Sequence, residues 1–356
     1  MYSRTHDINI KSFEPLVGPN TIKEELPITP ASEKTVVEGR RQITEILGKR
    51  DPRMLMVVGP CSIHDEKAAL DYAERLAGLQ KEVAEAMLLV MRVYFEKPRT
   101  TVGWKGLIND PHMNGSCDMN EGLRRARRIL MKVTELGLPT ATEMLDPITP
   151  QYLAGLVCWS AIGARTTESQ THREMASGLS MPVGLKNCTD GSLTKAIHAM
   201  IAARTPQSFI GVDPEGRTCI VSTSGNPWTH IVLRGGQRPN YDSVSIEEAC
   251  RELREAGLDE TIVVDCSHGN SRKKHEGQAV VLKNIISQRL EGNRAIVGAM
   301  LESNIYEGNQ SCADPNQLAY GISITDECIS WETTEKLLRC AHKRLLGNIN
   351  PVDAAV

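Results

Sequence analysis

The sequence predicts a (β/α)8 barrel that carries an N-terminal extension and an inserted β-hairpin. Three observations point there. Eight short apolar runs recur along the 356 residues, and stretches long enough for a helix separate most of them. Each run also leads into a residue able to bind an anion or a metal. A barrel of this class gathers its chemistry at the C-terminal ends of eight parallel strands, which is the layout these runs imply.

In chain order the runs are Met54–Val58 before Gly59-Pro60-Cys61, Met87–Met91 before Arg92, and Pro139–Ala141 before Glu143. Ser160–Ala164 precedes Arg165, Pro182–Leu185 precedes Lys186, and Ile231–Leu233 precedes Arg234. Thr261–Val264 leads into Asp265-Cys266-Ser267-His268, and Ala295–Leu301 into Glu302. Helices are predicted at 66–85, 121–136, 151–158, 171–177, 193–203, 245–256, 277–290 and 333–346. One barrel of about 250 residues plus extensions fits the length better than two unrelated domains. We expect residues 1–50 to form an interface or regulatory extension and residues 51–350 the barrel.

Within the extension, Ile8, Ile10 and Phe13 form a weakly alternating strip suited to a strand added to another subunit. Pro27 and Pro30 break the chain before a helical stretch at 32–47. The repeat is interrupted again before Arg234. Ser208–Val212 and Thr218–Thr223 are β-rich runs around an Asp-Pro-Glu-Gly turn, so a hairpin is expected at about 211–229.

Composition excludes several classes. A net charge of −3 with no extended basic run argues against a nucleic-acid partner. No apolar run approaches the roughly 18 residues of a membrane span, and the N-terminus lacks a signal peptide's apolar core. Ten cysteines without a C-x-x-C pair read as reduced thiols, hence a cytoplasmic protein. No G-x-x-x-x-G-K-[ST] loop is present, so no nucleotide cofactor is expected.

The chemistry-bearing residues cluster by position. Arg92, Lys97, Arg99, Lys105, Arg165, Lys186 and Arg234 fall at or just after strand ends. Any one could be a surface cation. Seven in equivalent places on a net-acidic chain predict a strongly anionic substrate held by side chains. Cys61, His268 and Glu302 end runs one, seven and eight, which are neighbours once the barrel closes, and Asp326 follows in the next loop. One thiolate, one imidazole and two carboxylates suit a single divalent first-row ion: Mn²⁺, Fe²⁺, Co²⁺ or Zn²⁺. With the metal removed, Cys61 in so cationic a site is expected to have a lowered thiol pKa and to oxidise onto Cys328.

Four motifs carry a family resemblance: Gly59-Pro-Cys-Ser-Ile-His64, Arg92-Val-Tyr-Phe-Glu-Lys-Pro-Arg-Thr100, Gly163-Ala-Arg-Thr-Thr-Glu-Ser169 and Val264-Asp-Cys-Ser-His-Gly-Asn270. The chain resembles the type I 3-deoxy-D-arabino-heptulosonate 7-phosphate (DAHP) synthases of the bacterial, feedback-inhibited class, from about residue 35 to about residue 345. The resemblance implies a transferase that condenses phosphoenolpyruvate (PEP) with D-erythrose 4-phosphate, the entry step to aromatic amino acids. It implies that Cys61, His268, Glu302 and Asp326 bind the metal, with Cys61, His268 and Lys97 in catalysis. Arg92, Lys105, Arg165, Lys186 and Arg234 would cradle PEP. Lys97, Pro98, Arg99, Thr100 and Asp326 would receive the aldose phosphate.

For regulation, Pro150, Gln151, Leu179, Ser180, Phe209, Gly211 and Val221 resemble the family's effector pocket. Pro147, Pro150 and the run Ser169–Pro182 look most like the tyrosine-sensitive form, and Gly211 leaves more room than the serine of the phenylalanine-sensitive form, which implies an aromatic amino-acid effector and a homo-oligomer, dimer or tetramer. Two rival readings stay open on the residues. One is another PEP-condensing barrel, such as a 3-deoxy-octulosonate 8-phosphate synthase. The other is a catalytically inactive barrel kept as an amino-acid sensor.

Overall fold

The computed structural model describes residues 5–347, so residues 348–350 of the expected barrel lie outside the described residues. After an extended N-terminal segment come α1 (Pro19–Glu25) and α2 (Pro30–Leu47). The first half of the repeat is β1 (Met54–Gly59), α3 (Glu66–Val83), β2 (Met87–Arg92), α4 (Met119–Glu135), β3 (Thr140–Glu143), α5 (Pro150–Leu153), β4 (Trp159–Ile162), α6 (Gln170–Gly178), β5 (Val183–Lys186) and α7 (Thr194–Arg204). A hairpin, β6 (Ser208–Val212) and β7 (Thr218–Ser222), is followed by β8 (Thr229–Leu233), α8 (Ser243–Glu255), β9 (Ile262–Asp265), α9 (Gly277–Leu290), β10 (Ile296–Glu302) and α10 (Trp331–Leu345).

Eight parallel strands close in the order β1-β10-β9-β8-β5-β4-β3-β2. The hairpin forms a separate antiparallel pair outside the barrel, with Phe209 opposite Val221 and Gly211 opposite Cys219. The barrel strands are buried on both faces, as apolar runs flanked by helices must be. Local chemistry sets the helix starts. The carboxylates of Asp65, Asp118 and Asp242 accept from backbone N–H groups at the N-termini of α3, α4 and α8, which leaves fewer orphan donors.

Side-chain alternation divides the strands into two sets. Leu55, Val57, Leu88, Val90, Ala141, Trp159, Val232, Val263, Val297 and Met300 form one cluster inside the barrel. The same cluster includes Val36, Ile43, Ile46 and Leu47, so α2 seals the N-terminal mouth. The intervening strand residues face the helices in a second, larger cluster.

Three local expectations are corrected. The helix expected at 151–158 stops at Leu153 and continues as a tight turn over Ala154–Leu156. Arg40 captures the Ala154 and Val157 carbonyls at 2.6 and 3.0 Å, which diverts them from a helical ladder. The α1 helix was not expected; it is held by tertiary bonds, Asn20 N to the Pro214 carbonyl (2.8 Å) and Arg127 Nε to the Leu26 carbonyl (2.7 Å). The fourth strand ends at Ile162, not Ala164, so Arg165 belongs to a loop.

Candidate active site

Period two in the strands builds the site. Two residues beyond inward-facing Val90, Ala141, Val232, Val263 and Met300 stand Arg92, Glu143, Arg234, Asp265 and Glu302, and Lys186 holds the same place on β5. The top layer of the barrel interior is therefore charged, where the layers below are apolar. Register fixes the heights: Gly59 pairs with Glu302 and Met300 with Asp265.

Buried charge survives here only because it is paired. Arg92 Nη2 donates to Glu302 Oε1 at 3.0 Å, Nε to the Pro60 carbonyl at 3.3 Å, and the guanidinium lies 3.9 Å from the Tyr94 ring centre. Lys186 Nζ donates to Asp265 Oδ2 at 3.0 Å. Burial alone would push the Glu302 carboxyl up, but His268, Arg92 and Lys97 bring it down to about 2. Asp265 is likewise held well below the carboxylate range, by His268 and Lys186 against the cost of burial.

The four expected metal ligands converge. Donor atoms of Cys61, Glu302 and Asp326 lie within 4.8 Å of one another. His268 Nε2 is 3.9 Å from both Glu302 Oε1 and Asp326 Oδ2. His268 adopts φ +52°, and its Nδ1 stands 2.9 Å from Asp265 Oδ2. One sulfur, one nitrogen and two carboxylates at these spacings fit a first-row divalent ion. Lys97 Nζ donates to Cys61 Sγ and to the Cys61 carbonyl, both at 3.2 Å.

The expected lowering of the Cys61 thiol is overturned. Burial and the Glu302 charge push it up to about 11, and Lys97 offsets only part of this. Lys97 moves the other way from its surroundings: burial would lower it, but Cys61, Glu302 and Glu143 hold it above the ordinary lysine value.

The remaining cations divide. Arg234 is half-buried, its backbone N–H bonded to Asn187 Oδ1 at 2.8 Å; burial and the Arg165 charge lower its pKa while Asp265 raises it. Arg165 and Lys105 are exposed at the rim. Arg99 Nε is bound to the Trp104 carbonyl at 2.8 Å, and Thr100 is exposed on the same loop. Pro98 is half-buried beside them. Gly106 shapes this loop: its φ is +117°, and a Cβ there would meet the Phe95 carbonyl oxygen.

Three residues of the mouth carry no role in the sequence-based set. Asp265 anchors Lys186, Tyr94 lies under Arg92, and Glu143 is buried with Oε1 unpaired among the described residues. Glu143 and Asp265 share the inward register that flags Lys186 and Glu302, so the signal was present.

Away from the mouth, Pro150, Gln151, Leu179, Ser180, Phe209, Gly211 and Val221 all line one cavity of about 140 Å³, together with Pro147 and Met175. Its walls come from α5, α6 and the hairpin. Leu185 and Cys188, which flank Lys186-Asn187, are buried.

The chain matches the model of the DAHP synthetase I family over residues 26–339. It is 53% identical over 345 residues to the Salmonella typhimurium "Phospho-2-dehydro-3-deoxyheptonate aldolase, Tyr-sensitive", covering 97% of each chain. It is 51% identical over 339 residues to the Phe-sensitive protein of Escherichia coli strain K12, covering 95% of this chain and 97% of that one. Among solved structures, the phospho-2-dehydro-3-deoxyheptonate aldolase of Francisella tularensis SCHU S4 matches with a TM-score of 0.93 and 43% identity, over 96% of this chain and 100% of that one.

Proposed function

This chain belongs to the DAHP synthetase I family, and from that membership we propose how its site works and is regulated. The reaction is the condensation of PEP with D-erythrose 4-phosphate and water, giving DAHP and phosphate. One observation carries the assignment of roles: a sulfur–nitrogen–carboxylate cluster and a set of cations share a single barrel mouth.

Arg92, Lys105, Arg165, Lys186 and Arg234 hold the carboxylate and phosphate of PEP. The guanidinium forks match those groups bidentately and Lys186 adds a point charge. Fixing PEP in this way places its C3 against the aldehyde and removes much of the entropic barrier. Lys97, Pro98, Arg99, Thr100 and Asp326 receive the aldose phosphate. Cys61, His268, Glu302 and Asp326 hold one Mn²⁺, Fe²⁺, Co²⁺ or Zn²⁺ ion, which when bound supplies a Lewis acid for the aldehyde oxygen. As C3 bonds to the aldehyde carbon, Lys97 Nζ donates its proton to the oxygen that becomes an alcohol. The surrounding cations stabilise the charge that moves through C2 while water adds there and phosphate leaves.

The cavity between α5, α6 and the hairpin takes an aromatic amino acid, and tyrosine is the effector that its Gly211 fits best. The 1–50 segment serves as an interface and regulatory arm on the 51–350 barrel, in a homodimer or tetramer. Exposed Ile8, Ile10 and Phe13, with Ile210 and Ile220 on the hairpin, give such a contact its apolar surface. All ten cysteines are free and no described helix is long and apolar enough to cross a membrane, in keeping with work in the cytoplasm.

The test is turnover of PEP with D-erythrose 4-phosphate and, separately, D-arabinose 5-phosphate, with Tyr, Phe and Trp compared as inhibitors. Activity with the four-carbon sugar and strongest inhibition by tyrosine are expected. Preference for the five-carbon sugar, or tyrosine binding without turnover, would overturn the reading.

A further inference from the structure

Outside the mouth, one polar cluster joins the two loops that deliver His268 and Asp326. Glu327, the next residue after Asp326, accepts from three donors on the other loop. Lys274 Nζ reaches Oε1 at 3.0 Å, while the backbone N–H and the ring Nδ1 of His275 reach Oε2 at 3.3 and 3.0 Å. Glu327 and His275 are both largely shielded, at 23% and 16% exposure. Two acceptor atoms of one carboxylate thus bridge two segments 52 residues apart in sequence.

Asp326 is not held by its own side chain. Its side chain is 62% exposed and, among the described residues, its carboxylate accepts no hydrogen bond. Its direction is therefore set through its chain neighbours. On one side Cys328 exchanges backbone bonds with Gly308, at 2.8 and 3.1 Å. On the other, Asn309 Nδ2 holds the Thr325 carbonyl at 2.9 Å. Neither contact relates Asp326 to His268; Glu327 does. The loop carrying His268 doubles back tightly to present His275, with Lys273 N–H bonded to the His268 carbonyl at 2.7 Å and positive φ at His268, Arg272 and Lys273.

Donor atoms of His275, Glu276 and Glu327 lie within 4.8 Å of one another, a spacing a cation could also use. His275 Nδ1 and Glu327 Oε2, however, already face each other as donor and acceptor, so the arrangement is complete as a hydrogen-bonded clasp.

We propose that Glu327 is a positioning residue that clasps the Asp326 loop to the His268 loop and so closes the metal-ligand set. The proposal rests on Cys61, His268, Glu302 and Asp326 being that set. Partners that orient ligands in this way typically govern metal affinity by about 10- to 100-fold.

The experiment titrates Co²⁺ into the full-length, chelator-stripped protein and follows the thiolate-to-cobalt charge-transfer absorption of Cys61. Glu327→Ala should weaken Co²⁺ binding about tenfold or more and leave the melting temperature of the metal-free protein in place. His275→Ala should weaken it in the same direction. The double variant should lose no more than Glu327→Ala alone, because both act through one contact. Unchanged affinity, additive losses, or an equal fall in metal-free melting temperature would overturn the clasp. A second Co²⁺ per chain that vanishes in Glu327→Ala would also overturn it. If the unaltered chain shows no thiolate band, the ligand assignment itself fails, which is a distinguishable result.

Discussion

Thr149 Oγ1 donates a hydrogen bond to Glu96 Oε2 across 3.1 Å, and this buried contact links the cavity proposed for the effector to the loop proposed to carry Lys97 to the substrates. Thr149 immediately precedes Pro150, a wall of the cavity, and Glu96 immediately precedes Lys97. Burial and the charge of Asp146 push the Glu96 carboxyl up to about 8, with the Thr149 bond pulling only partly the other way. A raised acid favours the folded state fully below its unfolded pKa, near 4.5, and that contribution is lost as pH rises through 8. Above pH 8, then, Glu96 ionises beside Asp146, and repulsion from Asp146 works against the Thr149 hydrogen bond that the charged carboxylate itself would strengthen. Tyrosine inhibition is expected to weaken between pH 7 and 9, and Glu96→Gln to make it independent of pH. Equal pH profiles for the two proteins would refute the link.

Metal dependence follows from the mixed donor set. Chelation should abolish turnover, and several first-row divalent ions should restore it. Cys61→Ala should lose the ion yet keep the fold, because the apolar layers beneath the site contain no ligand. Circular dichroism with metal analysis by mass spectrometry checks both statements. A fully active, metal-free Cys61→Ala protein would end the assignment. Since burial holds the free thiol near 11, apo-protein oxidation onto Cys328 should be slow at neutral pH and quicken in alkali.

Arg234→Lys tests the PEP cradle. Lysine keeps the charge but loses the planar fork. A lost charge-assisted contact costs on the order of 1.5–3 kcal/mol, roughly 10- to 100-fold. The expected result is a rise of that size in the KM for PEP with little change for D-erythrose 4-phosphate. Steady-state kinetics showing the reverse pattern would reassign Arg234 to the aldose.

How far the sequence carried depended on whether chemistry followed a period. Arg92, Lys186, Arg234 and Glu302 are legible because strand alternation turns them inward after an apolar residue, and the same rule reaches Glu143 and Asp265. Those two went unassigned because a buried acid needs a named partner, and partners such as Lys186 across from Asp265 come only from barrel closure. The short α1 was illegible since its support comes from Pro214 and Arg127, both far along the chain. Glu327 carries no sequence signal at all. Its role depends on Lys274 and His275 meeting it across two loops.

Effector choice should turn on Gly211. A Cβ at this position would sit 2.8 Å from Val221 Cγ2, inside the cavity wall, so a larger residue must displace the hairpin side chain. Gly211→Ser is expected to weaken tyrosine inhibition, with turnover in its absence preserved, because the hairpin lies outside the barrel. Calorimetric tyrosine binding beside inhibition curves would show it, and an unchanged tyrosine affinity would remove Gly211 from the specificity argument.

Acid stability should be limited by a histidine inside the barrel. Trp159 Nε1 donates to His230 Nε2 at 3.1 Å, which leaves Nδ1 as the protonated ring nitrogen, 3.4 Å from the Trp228 carbonyl. Burial, with the nearby Arg204 charge, lowers the His230 pKa to about 4. The unfolded chain binds a proton near 6.5 and the folded one does not until about 4, so unfolding takes up a proton between these values. Stability therefore rises with pH across that window, by up to about 3 kcal/mol from this group alone. His230→Gln keeps an acceptor for Trp159 but cannot titrate. It should be less stable than the unaltered chain at pH 7.5 and lose much less on going to pH 5. Denaturant unfolding at both pH values measures the difference, and parallel losses in the two proteins would show that the acid sensitivity arises elsewhere.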